Sequence, residues 1–315
     1  MAKKDAARNG MKVKRPRKLE RDEPLPWNSP KSTEEDPQAL ARIEAILKSP
    51  SYRRADTDFD FLARDDLRGL RLQIDYMKPS LFLDEAGVRQ TIVVFGSTRI
   101  CEPSAALRKV EELTTELEAD PSNKDLAWRL AAAKRILAKS HYYDVAREFG
   151  RIVSEANHHA DGQHAFIMTG GGPGIMEAAN RGSFDAGAKS IGLNITLPHE
   201  QFPNPYITPD LCFNFHYFAT RKFHFLLHAK ALVAFPGGYG TFDELFEVLT
   251  LVQTQKLKQI PVILVGEDYW RKAVNIDFLA EEGVIAKEDR ELFWYAEKAD
   301  EIWKSIEAWY ASAPA

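Results

Sequence analysis

The sequence predicts an α/β protein: a doubly wound, Rossmann-like parallel sheet with helices on both faces, an N-terminal helical extension and an inserted helical hairpin. Three observations carry this. From Thr91 onward, short apolar runs alternate with segments whose apolar residues repeat every 3.6 positions, the pattern of strands and helices in a parallel sheet. Three of the runs end in glycine-rich junctions. The 315 residues, 44% hydrophobic and 28% charged, are enough to bury one sizeable core plus an appendage.

In chain order, residues 1–37 are polar and charged, and Pro16, Pro24, Pro26 and Pro30 break any helix, so a mobile or surface-draped basic tail is expected. Residues 38–90 form the helical extension. Leu40, Ile43 and Leu47 recur at helical spacing within Asp36–Leu47, and Phe59–Met77 is a second amphipathic stretch. Residues 91–315 form the Rossmann-like domain. Strands are expected at Thr91–Phe95, Ala165–Thr169, Ser190–Ile195, Leu211–Phe215, Ala231–Phe235 and Pro261–Val265. Helices are expected at Tyr143–Glu155, Gly174–Ala186, Tyr217–Ala229, Thr241–Gln255 and Tyr269–Glu281. Between Ser104 and Ser140 lies a charged, Ala- and Leu-rich helical segment, turning at Asp120-Pro121-Ser122-Asn123. It is longer than such connections need, which marks it as the inserted hairpin.

Composition narrows the function classes. No apolar run approaches the roughly 20 residues of a membrane-spanning helix, and no apolar segment follows the basic N-terminus as in a secretory signal. A cytoplasmic protein without a membrane partner is expected. Cys101 and Cys212 are too few for a disulfide framework and lack metal-ligand spacing, so they read as reduced, buried thiols. Residues 1–21 carry nine Lys or Arg against two acids, which leaves the rest of the chain near −11 within a net charge of −4. Without interleaved aromatics, that arm reads as a solvated tail, and nucleic acid is not expected as a partner.

Ligands of open α/β sheets bind beyond the carboxyl ends of the strands. The three glycine-rich junctions, Gly96-Ser97-Thr98-Arg99, Gly170-Gly171-Gly172-Pro173-Gly174 and Pro236-Gly237-Gly238-Tyr239-Gly240-Thr241, should therefore share one edge. Glycines there let a phosphate approach the backbone, and the following helix start offers unpaired N–H groups. Taken alone, Gly170–Gly174 reads first as a tight turn packing helix on strand, and it is the three junctions together that favour a phosphate site. Neither a P-loop nor a G-x-G-x-x-G fingerprint is present, so a mononucleotide suits the site better than a dinucleotide. Thr241 sits where an N-cap hydroxyl would lie. Glu244, three residues on, is either the far end of a T-x-x-E capping box or a carboxylate turned toward a bound sugar. Arg221, beside Lys222 at a helix start, opposes the helix dipole; it calls for a compensating anion or is a solvated surface cation. His224 and His228 lack the glutamate of H-E-x-x-H, and the cluster His158, His159 and His164 has no ligand spacing. Neither a metal nor a cofactor is expected.

The run Gly170-Gly-Gly-Pro-Gly-Ile-Met-Glu-Ala-Ala-Asn-Arg-Gly182, the Arg221-Lys222 pair and Pro236-Gly-Gly-Tyr-Gly-Thr-Phe-Asp-Glu244 together resemble the Lonely Guy (LOG) family over about residues 91–309. The resemblance implies a phosphoribohydrolase that cleaves the N-glycosidic bond of a nucleoside 5′-monophosphate, AMP or a cytokinin ribotide, to free base and ribose 5-phosphate. Position by position it implies that Arg221 and Glu244 are the catalytic pair and that Gly237, Gly238, Gly240 and Thr241 form the phosphate loop. Gly171, Gly172 and Glu177 match the second motif, with Gly96, Ser97 and Lys222 as further binding residues. It also implies a homodimer or higher homo-oligomer. Where plant members read Met-His-x-Arg-Lys, this chain reads Phe218-Ala-Thr-Arg-Lys222: the Arg-Lys pair is kept and its flank differs, so the resemblance does not fix cytokinin specificity. The label "possible lysine decarboxylase", also carried by this family, finds no support in these motifs, since a pyridoxal enzyme needs a Schiff-base lysine with a pyridinium partner. The competing reading is a nucleotide carrier or sensor that does not cleave its ligand. It would need the phosphate loop but not the carboxylate.

Overall fold

The structure, a computed structural model, describes residues 23–159, 164–198 and 202–312, with no side-chain description for 157–159. The basic tail lies mostly outside the described residues, as do the side chains of His158 and His159. The chain divides into two compact units, Met1–Leu67 and Arg68–Ala315. Within the first are α1 (Ala39–Lys48) and the single turn α2 (Phe59–Leu62), whose start is capped by the Asp58 carboxylate accepting from the Phe61 amide at 3.2 Å. The second unit opens with α3 (Arg68–Glu85). Its first residues thus precede the boundary expected after residue 90. The reason is packing: Leu83 is fully buried in the same core cluster as Phe213, Phe225 and Leu232, so α3 belongs to the sheet unit.

From there β1 (Gln90–Phe95) leads into α4 (Pro103–Ala119), α5 (Lys124–Lys139) and α6 (His141–His159). Helices α4 and α5 are the inserted hairpin. Its turn is fixed by Asn123, whose side-chain oxygen accepts from the Asp125 and Leu126 amides, both at 3.1 Å. Then follow β2 (Ala165–Thr169), α7 (Ile175–Asp185), β3 (Ile191–Ile195), β4 (Cys212–Phe215), α8 (Phe218–Leu227), β5 (Ala229–Ala234) and α9 (Tyr239–Gln253). The chain closes with β6 (Val262–Val265), α10 (Glu267–Ala273), α11 (Ile276–Glu281), β7 (Trp294–Ala296) and α12 (Ala299–Ser312). The single helix expected over Tyr269–Glu281 is two, because Asn275 restarts the chain by capping α11 through the Phe278 amide at 3.0 Å.

All seven strands are parallel, in the order β4-β3-β2-β1-β5-β6-β7. Side-chain alternation along β1 shows the double winding directly. Ile92 and Val94 join a cluster with Tyr143, Phe149 and Ile175 from α6 and α7 and Ile302 from α12. Val93 and Phe95 point the other way, into a cluster with Phe225 of α8 and Leu245 and Val248 of α9. The chain leaves β1 toward β2 on one side and leaves β5 toward β6 on the other. The carboxyl ends of these adjacent strands therefore form the topological switch point, where a crevice must open.

Candidate active site

A cavity of about 570 Å³ opens at that switch point. Its floor is the ends of two strands held together: the Phe235 amide donates to the Phe95 carbonyl at 2.8 Å and the Ser97 amide to the Pro236 carbonyl at 3.0 Å. The β1 loop contributes Gly96, Ser97, Thr98 and Arg99, and the β5 loop contributes Pro236, Gly237, Gly238, Tyr239, Gly240 and Thr241. Gly96 is required by contact, since a Cβ there would lie 2.6 Å from the Ile175 side chain.

Helix α9 starts earlier than the sequence suggests. Its N-cap is Gly238, so Thr241 is the third helical residue and not the cap, and Glu244 lies on the second turn. The T-x-x-E pair therefore makes no capping box. The first helical bond runs from the Phe242 amide to the Gly238 carbonyl at 3.1 Å. Among the described residues, the amides of Tyr239, Gly240 and Thr241 have no carbonyl to donate to, which leaves three donors and the positive end of the helix dipole at the crevice.

Glu244 is 7% exposed and lines the cavity, yet its carboxylate makes no hydrogen bond and no ion pair among the described residues. A buried carboxylate without partners is costly. Burial pushes its pKa up to about 7, against the pull of Arg221 and Lys222. Arg221 reaches the same cavity from the first turn of α8. Its Nε donates to the Leu193 carbonyl at 2.7 Å, a terminal nitrogen approaches the Gly170 carbonyl at 3.5 Å, and the guanidinium lies over the Phe225 ring at 5.0 Å. Burial lowers its pKa, partly countered by Glu244. The two opposite charges face one cavity without forming a salt bridge, so each keeps bonding capacity for a ligand.

Other expected site residues lie elsewhere. Lys222 does not line the cavity: its ammonium bridges Asp243 at 3.0 Å and Glu247 at 3.2 Å, tying α8 to α9. Burial works against that charge, but the two carboxylates raise its pKa overall. Gly171, Gly172 and Glu177 are also absent from the cavity wall. The Gly171 and Gly172 carbonyls accept from the Asn204 amide at 2.9 Å and its side chain at 3.1 Å. Glu177 accepts from the Tyr143 hydroxyl at 2.8 Å. From the second motif only Met176 lines the site. Cys101 and Cys212 are half-buried rather than buried, with burial pushing both thiols up.

Wall residues that were not singled out in the sequence include Ile100 after β1, Ile136 and Lys139 from α5, and Tyr269 from α10, whose hydroxyl donates to the Gly237 carbonyl. The signal for α5 was available only as the length of the insertion. Among the described residues, no group of three or more His, Cys, Asp or Glu is placed to hold a metal ion, and no helix is long and apolar enough to cross a membrane.

The chain is similar in sequence to known proteins. The family model described as "Possible lysine decarboxylase" matches residues 176–306. LOG3 of Arabidopsis thaliana, a cytokinin riboside 5′-monophosphate phosphoribohydrolase, is 31% identical to the chain over 173 residues, which span 54% of this chain and 76% of that protein. The chain belongs to the LOG family. LOG1 of the same plant has the same identity and coverage, and LOG of Oryza sativa subsp. japonica is 28% identical over 172 residues, spanning 54% of this chain and 67% of its own. The region that the family model matches, residues 176–306, falls within the sheet unit, where the cavity lies.

Proposed function

We propose that this LOG-family chain hydrolyses the N-glycosidic bond of a nucleoside 5′-monophosphate, AMP or a related ribotide, releasing the free base and ribose 5-phosphate. The observation that carries the reading is Glu244: a buried carboxylate with no protein partner, facing a cavity that also presents Arg221 and three free amides. A carrier would need the amides but gains nothing from an unpaired buried acid.

In this reading the 5′-phosphate sits on the Tyr239, Gly240 and Thr241 amides, with the Thr241 hydroxyl and Ser97 beside it. The ribose then extends toward Glu244 and Arg221. Cleavage passes through an oxocarbenium-like ribose, whose charge the Glu244 carboxylate stabilises. Water adds to the anomeric carbon as the bond to the base breaks; the water proton passes to Glu244, and the base nitrogen keeps the bonding pair and takes up a proton. Arg221, held by the Leu193 carbonyl, has guanidinium donors left for the ribose hydroxyls or phosphate. The reading further assigns the enzyme to the cytoplasm and to a homo-oligomer.

The test is chromatographic base release by the purified protein from AMP, GMP, IMP, CMP, UMP and a cytokinin ribotide, beside Glu244→Gln. Release should fall about 10²-fold or more in the variant. Binding without release from any nucleotide by the wild type would establish a carrier instead.

A further inference from the structure

The site depends on Arg221 being held at one position, and α8, which carries it, does not supply its own start. Its N-cap residue, Tyr217, offers no side-chain acceptor to the first turn. The acceptor comes instead from α3, some 140 residues earlier in the chain. One Asp75 oxygen accepts from the His216 amide at 3.0 Å; the other accepts from the Tyr217 amide at 3.1 Å and from the Thr220 hydroxyl. Resting on the functional reading above, we propose that Asp75 is a positioning residue for Arg221, anchoring the two residues that lead into α8 together with Thr220 of its first turn.

Three features make this more than a surface contact. The turn that Asp75 anchors at Tyr217 and Thr220 is the one that Arg221 closes, its amide donating to the Tyr217 carbonyl at 3.2 Å. Arg221 and Lys222 place two cations in the N-terminal half of a ten-residue helix, where the dipole disfavours them. The Asp75 carboxylate brings a negative charge to that end and offsets the conflict. Around it, α3 grips α8 at further points. The Arg71 Nε donates to the Tyr217 hydroxyl at 3.2 Å, and the Ser80 hydroxyl meets His224 Nε2 at 3.1 Å. The His224 Nδ1 meets the Thr220 carbonyl at 2.8 Å, and since a carbonyl only accepts, the imidazole proton sits there. Tyr76 packs against the same ring, 5.0 Å between centroids. Helix α3 lies outside residues 176–306, so the assignment comes from this chain's own geometry.

The experiment compares wild type, Asp75→Ala, Asp75→Asn, Arg221→Ala and the double variant Asp75→Ala/Arg221→Ala. AMP affinity is read by calorimetry, base release by chromatography and unfolding by heat. Asp75→Ala should lose about tenfold or more in kcat/KM, the scale expected when a catalytic group drifts by a fraction of an ångström. Asp75→Asn, which keeps an acceptor oxygen, should recover part of it. In the Arg221→Ala background the same change should cost nothing further. Equal losses in both backgrounds, or full activity in Asp75→Ala, would overturn the proposal. If the wild type releases no base, the hydrolase reading fails separately, and AMP affinities across the same five proteins still decide the positioning role: an Asp75→Ala affinity equal to wild type overturns it.

Discussion

Two glycine-rich loops leave the same edge of the sheet, Gly170–Gly174 after β2 and Pro236–Gly240 after β5, and they use glycine for opposite reasons. In the first, a Cβ at Gly170 would lie 2.5 Å from the Arg221 guanidinium, one at Gly171 would collide with the Asn194 side chain, and one at Gly174 with the Ser97 carbonyl. Its polar groups are consumed as well. The Gly171 amide donates to the Thr169 hydroxyl at 3.0 Å and the Ile175 amide to the Ser97 carbonyl at 3.2 Å. In the second, a Cβ at Gly237 would still meet the Thr241 side chain, but Gly238 and Gly240 have nothing within 4 Å of a Cβ, and the three amides that follow Gly238 have no partner among the described residues. The first loop is glycine so that protein can pack against protein. The second is glycine so that a space stays open.

The largest effect should come from testing the packed loop. Gly171 has φ +73°, where a side chain is strained, and its neighbour Asn194 is buried. Gly171→Ala should cost about 3 kcal/mol and lower the melting temperature by roughly 6 to 10 °C, read by calorimetry. A variant that melts with the wild type would mean that this loop, too, has room to spare.

How much of this contrast could be read from the sequence follows from the same residues. Both loops have the composition of a phosphate site, and nothing in Gly-Gly-Gly-Pro-Gly tells whether its amides are spent on the protein. That is decided by Asn204 and Ser97, residues from two other loops. The sheet was legible because β1, β2, β3 and β5 are apolar runs punctuated by glycine or proline. The strand β7 was not, because three residues are too few to show a period and only its pairing with β6 makes it a strand. Arg221 and Glu244 were legible as a pair of charges near helix starts, but the start of α9 two residues before Thr241 was not: Tyr239 and Gly240 are poor helix formers, yet the first helical bond already closes from the Phe242 amide onto the Gly238 carbonyl. Asp75 could not be found at all, since its role depends on a contact between distant segments.

Next in size is the pH profile of the open loop's carboxylate. With Glu244 near 7, the carboxylate fraction grows through neutrality. The proposed reaction uses the ionised form, so on that reading kcat/KM should climb about tenfold per pH unit below 6 and level off above about 8. Stability runs the other way. A carboxyl whose pKa is raised on folding contributes fully below its unfolded value of 4.5 and loses that contribution as pH rises through 7. Glu244→Gln should therefore lose the acid limb along with its activity, and should melt higher than wild type at pH 8. A wild-type profile flat from pH 5 to 8 would exclude this carboxylate from the chemistry.

Gly238→Ala sharpens the comparison from the open side. Its φ of −101° suits any residue and nothing occupies the space, so the variant should fold with an unchanged melting temperature. The new methyl group stands where the phosphate would approach the backbone, and AMP affinity should fall about tenfold, equivalent to about 1.4 kcal/mol. The pair of glycine variants thus separates the two loops completely: one loses stability with its site intact, the other loses its ligand with its fold intact.

The smallest effect concerns the rim of the cavity, where the inserted hairpin meets the open loop. Arg99 is exposed and has no ion-pair partner among the described residues, and the Lys139 ammonium bonds only the Arg135 carbonyl of its own helix at 3.3 Å. Two uncommitted cations on the wall of a site that receives a dianion should raise its local concentration without touching the reacting bond. Lys139→Ala and Arg99→Ala should each raise KM for AMP about two- to fivefold with kcat unchanged, and the difference from wild type should shrink as salt screens the charges. A loss in kcat at constant KM would instead place the hairpin in the chemistry, and would make the insertion part of the catalytic apparatus rather than its electrostatic rim.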